Sequence, residues 1–197
     1  MTKKIAKLIR TITVPPVMVS IFLLVLFAAR SDIFKSPVLD LSLSILFLAL
    51  IPVAAYPLQP LIPKYKDKGR EGQRNLAFMF TAVGYTGVIL YGIFAVVSKD
   101  LLLIYFSYFL SILALLLSNK IIKFRSSGHM CSIVGPLVFS VYFIGWVAII
   151  PCCALFVIIC WSSLYLKRHT IFEVIGGTAC SAVAFTCSLG IIYLLQM

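Results

Sequence analysis

The sequence predicts an all-α fold, a polytopic transmembrane helical bundle with about six or seven helices. Three observations carry that expectation. The 197-residue chain is 62% hydrophobic with a mean hydropathy of +1.10. Only 12% of its residues are charged, against roughly 25% in ordinary soluble domains. The apolar residues fall in runs long enough to cross a bilayer, and short polar islands separate them. A single aqueous core cannot hide that much apolar surface. The length suits one domain over residues 1–197 embedded in a lipid bilayer.

The runs can be taken in order. The first spans Pro15 to Ala29, and Pro15-Pro16 suits a helix start, where a missing N–H costs nothing. The second runs from Val38 to Tyr56 and ends in the breakers Pro57, Pro60 and Pro63. The third is Asn75 to Val97 and the fourth Leu101 to Ile122. The fifth, His129 to Val147, and the sixth, Pro151 to Leu166, are separated by only a few apolar residues. The seventh runs from His169 to Leu195, where Gly176-Gly177 allows a kink or a close approach to a neighbouring helix. The basic stretch Met1 to Arg10 reads as the flank of a retained first helix, since no small-residue cleavage site follows it.

Net charge is +11, which in a soluble protein would suggest nucleic acid. Here the cations cluster in short loops between apolar runs, so topology and anionic headgroups explain them better. Lys3, Lys4, Lys7 and Arg10, the cluster from Lys64 to Arg74, Lys120, Lys123 and Arg125, and Lys167 with Arg168 fall on one side. Only Arg30, Lys35 and Lys99 fall on the other. The positive-inside rule then puts the N-terminus and the polar islands in the cytoplasm. The six cysteines all lie in apolar stretches without metal-ligand spacing and read as small buried hydrophobes.

The only two histidines sit in two of the three islands. His169 and Glu173 are four residues apart, which stacks them on one helical face. A carboxylate there can accept one imidazole proton and leave the other nitrogen as a nucleophile or base. The plainer alternative is a polar pair at a membrane interface. Ser126-Ser127-Gly128-His129 opens the fifth run; a helix start with Ser and Gly offers free N–H groups and a partial positive charge to an anion. Its plainer alternative is an N-cap followed by a surface histidine. The third island, Lys64 to Arg74, offers Lys66, Lys68, Arg70 and Arg74 as phosphate ligands, or a solvated basic loop touching lipid headgroups.

Taken together, the islands resemble the three-part signature of the type 2 phosphatidic acid phosphatase and vanadium haloperoxidase superfamily, in its integral membrane branch. Those motifs read Lys-x6-Arg-Pro, Pro-Ser-Gly-His and Ser-Arg-x5-His-x3-Asp. Ser127-Gly128-His129 matches the second, with Ser126 in place of proline. Ser162, His169 and Glu173 match the third at its full spacing, with Ser163 in place of arginine and Glu173 in place of aspartate. In the first motif Arg74 is followed by Asn75, and Asp67 stands where the lysine belongs, flanked by Lys66 and Lys68.

The resemblance implies a metal-independent membrane phosphatase for a lipid phosphate monoester or an isoprenyl diphosphate, with no cofactor. His169 would form a phosphohistidine, Glu173 would orient it, and His129 would protonate the leaving group and then help activate water. Arg74, Lys68 or Lys66, Ser127 and the Gly128 N–H would hold the phosphoryl oxygens. Arg70, Lys167 or Arg168 would replace the guanidinium missing at Ser163. Two alternatives fit the same residues: a phosphotransferase that uses an acceptor other than water, and a non-catalytic lipid-binding or transport protein of the same fold.

Overall fold

The computed structural model describes residues 1–195, and within them the chain is helical throughout, joined by short turns. Helix α1 covers Thr2–Ile12 and α2 covers Pro15–Ala29, with a 60° bend between them. The bend falls at Val14, whose extended backbone is the conformation favoured before proline. Helix α3, Pro37–Ile45, passes through a π-helical turn, Leu46–Leu50, into α4, Ile51–Leu58. Pro52 just after that turn lacks the N–H an α-helical ladder needs, which accounts for the break. Helix α5 is Gly69–Phe94 and α6 is Lys99–Leu116, the latter closing in a second π-helical turn, Leu117–Ile121. Helices α7, Gly128–Ile144, α8, Ile149–Tyr165, and α9, Ile171–Leu194, complete the bundle.

Among the described residues, five segments are long and apolar enough to cross a membrane: Pro37–Leu61, Gly69–Phe94, Lys99–Ile121, Trp146–Tyr165 and Ile171–Leu194. The bent pair α1–α2 meets the same standard as a sixth, and α7 is a shorter apolar helix of 17 residues. This is the polytopic bundle the sequence predicts. Its outward surface agrees, since Val83, Phe94, Trp146, Ile150 and Val157 are all more than half exposed. Such a belt is tolerable only against lipid.

Two boundaries differ from the sequence reading. The stretch before Pro15 is a separate helix, α1, which carries Lys3, Lys4, Lys7 and Arg10 and packs on α8. Helix α5 starts at Gly69 rather than Asn75, so Arg70 and Arg74 stand on its first turns instead of in a loop. Their polarity hides a helix that continues beyond the apolar zone.

The main core lies between α2, α3, α5, α6, α7 and α9, where Phe22, Leu23, Leu26, Tyr85, Val88, Ile104, Tyr105 and Phe139 are buried. Phe139 anchors it, with its ring against Phe22, Tyr108, Phe143 and Phe185. The chain closes tightly where glycine permits. A Cβ at Gly84 would stand 2.3 Å from the Phe47 carbonyl oxygen, and one at Gly177 2.3 Å from that of Ser127. Gly176-Gly177 therefore serves close packing of α9 rather than a kink.

At one end of the bundle two of the three cations are held by structure. Arg30 pairs with Asp32 through two bonds of 2.9 and 2.8 Å and donates to the Phe143 carbonyl at the end of α7. Lys35 donates to the Val96 carbonyl. The other end, at the start of α7, gathers the polar islands.

Candidate functional site

The loop from α8 to α9 sets the first histidine. Thr170 caps α9, its hydroxyl accepting the Glu173 N–H at 3.2 Å. This cap fixes Glu173 in the first turn, and His169, one residue before the cap, turns back to it. The His169 Nδ1 and Glu173 Oε2 atoms are 2.7 Å apart. The pair thus meets across the helix start rather than along the helical face the spacing suggests. Glu173 is 9% exposed, and its other oxygen accepts an ion pair from the Arg125 Nε at 3.2 Å. With both oxygens engaged by donors, the carboxylate holds the His169 proton on Nδ1, so Nε2 is the nitrogen left for a ligand. Burial lowers the His169 pKa from its ordinary value; the Glu173 bond pulls the other way and offsets it only in part.

The second histidine is fixed to the first by backbone. The Ser127 N–H donates to the Glu173 carbonyl at 2.8 Å, and the Ser127 hydroxyl caps α7 by accepting the Met130 N–H at 3.3 Å. Ser126 is held from the second π-helical turn, its N–H on the Asn119 side chain and its hydroxyl 2.6 Å from that of Ser118. His129 therefore sits in the first turn of α7, where the helix N-terminus favours negative charge. Its Nε2 is buried, with no partner among the described residues.

Both imidazoles line one cavity of about 1000 Å³. Its polar end also carries Arg10, Arg74, Lys120, Arg125 and Arg168, together with Ser126 and Gly128. Its other end is apolar, walled by Leu48, Pro52 and Val53, Phe78, Ile112 and Leu115. The first residues of α2 and α7 open into it, and both π-helical turns contribute a wall residue, Leu48 and Asn119.

Of the residues singled out by sequence, His169, His129, Arg74, Gly128 and Arg168 are on this wall, and Glu173 touches it through His169. Ser127 is not: it is 1% exposed and its hydroxyl is committed to the α7 cap. Lys66, Lys68, Arg70 and Lys167 are exposed and stand outside the wall, Arg70 being one turn further out than Arg74 on α5. Arg10, Lys120 and Arg125 join the site without having been singled out. Arg125 had a local signal, four residues before His129; Arg10 had none. Among the described residues no group of three or more His, Cys, Asp or Glu side chains could hold a metal ion.

Comparisons with protein-family models, with curated proteins and with solved structures return no match. The chemistry therefore has to be read from the site itself. One imidazole is oriented by a carboxylate, a second has an unpartnered nitrogen, cations share their wall, and apolar side chains line much of the rest. Such a site suits an anionic head carried on an apolar tail.

Proposed function

We propose that this chain is a membrane lipid phosphatase, hydrolysing a lipid phosphate monoester or an isoprenyl diphosphate through a phosphohistidine. The observation that carries the reading is the shared cavity: His169, held by Glu173, and His129, whose Nε2 is buried without a partner among the described residues, both line one space that also has apolar walls. The resemblance of the three islands to the phosphatidic acid phosphatase motifs points the same way. The cytoplasmic side is the one favoured for the cavity by the excess of cations at that end.

In this mechanism the lipid tail enters along Leu48, Val53, Phe78 and Ile112, and the phosphoryl group reaches the cations. Arg74, Arg168 and the Gly128 N–H take the equatorial oxygens, where charge accumulates in the transition state. His169 Nε2 attacks phosphorus. The bond from phosphorus to the leaving oxygen breaks, and His129 gives that oxygen a proton. Burial first, then Arg10 and His169, hold the His129 pKa down at about 3. The proton therefore arrives on the monoanionic phosphoryl group, whose negative charge offsets those cations and lets His129 relay it to the leaving oxygen. Glu173 balances the positive charge on the phosphorylated His169 ring. Water then attacks the phosphohistidine, its proton passing to His129, and the P–N bond breaks to release phosphate. Positioning and electrostatics supply the catalysis, as phosphoryl transfer requires.

The test is phosphate release from phosphatidic acid and from farnesyl or undecaprenyl diphosphate by detergent-purified protein with EDTA present. His169→Ala and His129→Ala should each abolish it. Turnover that survives both substitutions removes the mechanism, and a wild-type protein that turns over no lipid phosphate returns the chain to a non-catalytic lipid-binding role. Cysteine labelling of the loop near Arg70 tests the side; labelling only from outside overturns the cytoplasmic assignment.

A further inference from the structure

Two of the cavity's cations are fixed by side-chain bonds: Arg125 by Glu173, and Arg10 by Ser163. Arg10 reaches Ser163 from the far end of the sequence, its Nη1 donating to the Ser163 hydroxyl at 3.2 Å across 153 positions. Ser163 is 1% exposed, so this is a built contact rather than a surface encounter. A second bond clamps the same helix one turn earlier. The Ser162 hydroxyl donates to the Ala6 carbonyl at 2.7 Å, and Ala6 is fully buried. Adjacent serines on α8 thus grip α1 and set Arg10 at the cavity wall.

Placed there, the guanidinium lies within electrostatic reach of both imidazoles and of Arg168. Arg10 and Arg168 repel each other across an opening that holds no acid opposite them; Glu173 is already engaged by His169 and Arg125. Like charges held together in this way are relieved by an anion. An arginine fork carries five N–H donors, and Ser163 takes only one of them. Ser163 is also the position where the motif read in the sequence would carry its own arginine.

We propose that Arg10 is a phosphate-binding residue of the site, and that α1 folds back on α8 to deliver the guanidinium that position 163 lacks. This rests on the lipid-phosphate reading. The ligand chemistry is a phosphoryl group or its mimic, gripped through two oxygens by a cation from the N-terminal helix. Lysine at position 10 would keep the charge and lose the fork.

The experiment measures orthovanadate binding and phosphate release side by side, in wild type, Arg10→Ala, Arg10→Lys, and Arg10→Ala combined with Ser163→Arg. Arg10→Ala should weaken orthovanadate binding by about ten- to a hundredfold, the worth of one charge-assisted hydrogen-bonding group. It should slow phosphate release by about 10²–10³-fold. Arg10→Lys should fall between wild type and Arg10→Ala. Ser163→Arg should restore at least part of both properties in the Arg10→Ala background. Thermal unfolding of each variant identifies any that fail to fold; should Arg10→Ala be one, the Arg10→Lys comparison decides. Arg10→Ala or Arg10→Lys binding orthovanadate as tightly as wild type overturns the role of Arg10 alone. A wild-type protein that neither binds orthovanadate nor releases phosphate overturns instead the lipid-phosphate reading beneath it.

Discussion

Replacing Gly177 by alanine tests how the site is assembled, independently of what it does. Helix α9 crosses the start of α7 at this glycine. A Cβ there would lie 2.3 Å from the Ser127 carbonyl oxygen, 3.1 Å from the Met130 Cβ and 3.2 Å from the Cys131 nitrogen. Carbon–oxygen contacts relax at about 3.3 Å or more, so the two elements must separate by about 1 Å. Overpacking of this kind costs about 1–3 kcal/mol. The 2.8 Å bond from the Ser127 N–H to the Glu173 carbonyl would stretch with it. Losing that bond costs about 0.5–1.5 kcal/mol. Alanine's better helix propensity returns about 0.5–1 kcal/mol, leaving a net loss of about 0.5–4 kcal/mol. Gly190→Ala is the control, because the same helix has nothing within 4 Å of a Cβ there. Thermal and denaturant unfolding in one detergent should place Gly177→Ala well below wild type and Gly190→Ala at or above it. The same separation moves His169 and Glu173 from His129, so phosphate release should fall by about 10²-fold. Equal stability of the two variants would refute the claim that this crossing holds the islands together.

The remaining predictions concern charge and proton balance. His169 has a pKa lowered from its ordinary 6.5, chiefly by burial. It stays neutral, hence nucleophilic, through pH 6.5, and its contribution to stability is lost only as pH falls below that value toward the folded pKa. Histidine-selective NMR, with two resonances assigned by single substitutions, should show a His169 midpoint below 6.5; a midpoint at or above it contradicts the reading. Glu173→Gln removes the charge and weakens the bond that raise the His169 pKa, so its midpoint should drop further. An upward shift in that variant would mean that Glu173 does not hold the ring. At the opposite end of the bundle, Asp40 is 1% exposed and accepts the Tyr91 hydroxyl and the Ser36 N–H. Asp40→Ala orphans the Tyr91 hydroxyl and should cost about 1–3 kcal/mol in unfolding while leaving phosphate release unchanged.

Much of the bundle was legible because span length and composition are local properties. Each apolar run of the sequence corresponds to helix, but the bend at Val14 and the π-helical break before Pro52 were not anticipated there, and Pro57, expected to break the second run, lies inside α4. The first turns of α5 were not legible: Arg70, Glu71 and Arg74 look like a loop by polarity yet continue a helix past the apolar zone. The His169–Glu173 pair was visible through its spacing, although a capping turn rather than a helical face brings the two together. The gathering of cations was only partly visible. Lys66 and Lys68 lie in the turn before α5 and Arg70 on its first turn, and none of the three shares the cavity wall with the histidines. Arg10 enters from α1 through a contact spanning most of the chain, and no local pattern announces it.

The most direct measurement of the central claim is capture of the covalent intermediate. Protein incubated with radiolabelled phosphatidic acid or farnesyl diphosphate and quenched in base should carry label that is alkali-stable and acid-labile. Peptide mapping should place it on His169, with more label in His129→Ala than in wild type if water activation is slowed, and none in His169→Ala. A phosphate-releasing protein with no label on His169, or with label that His169→Ala retains, would contradict the account.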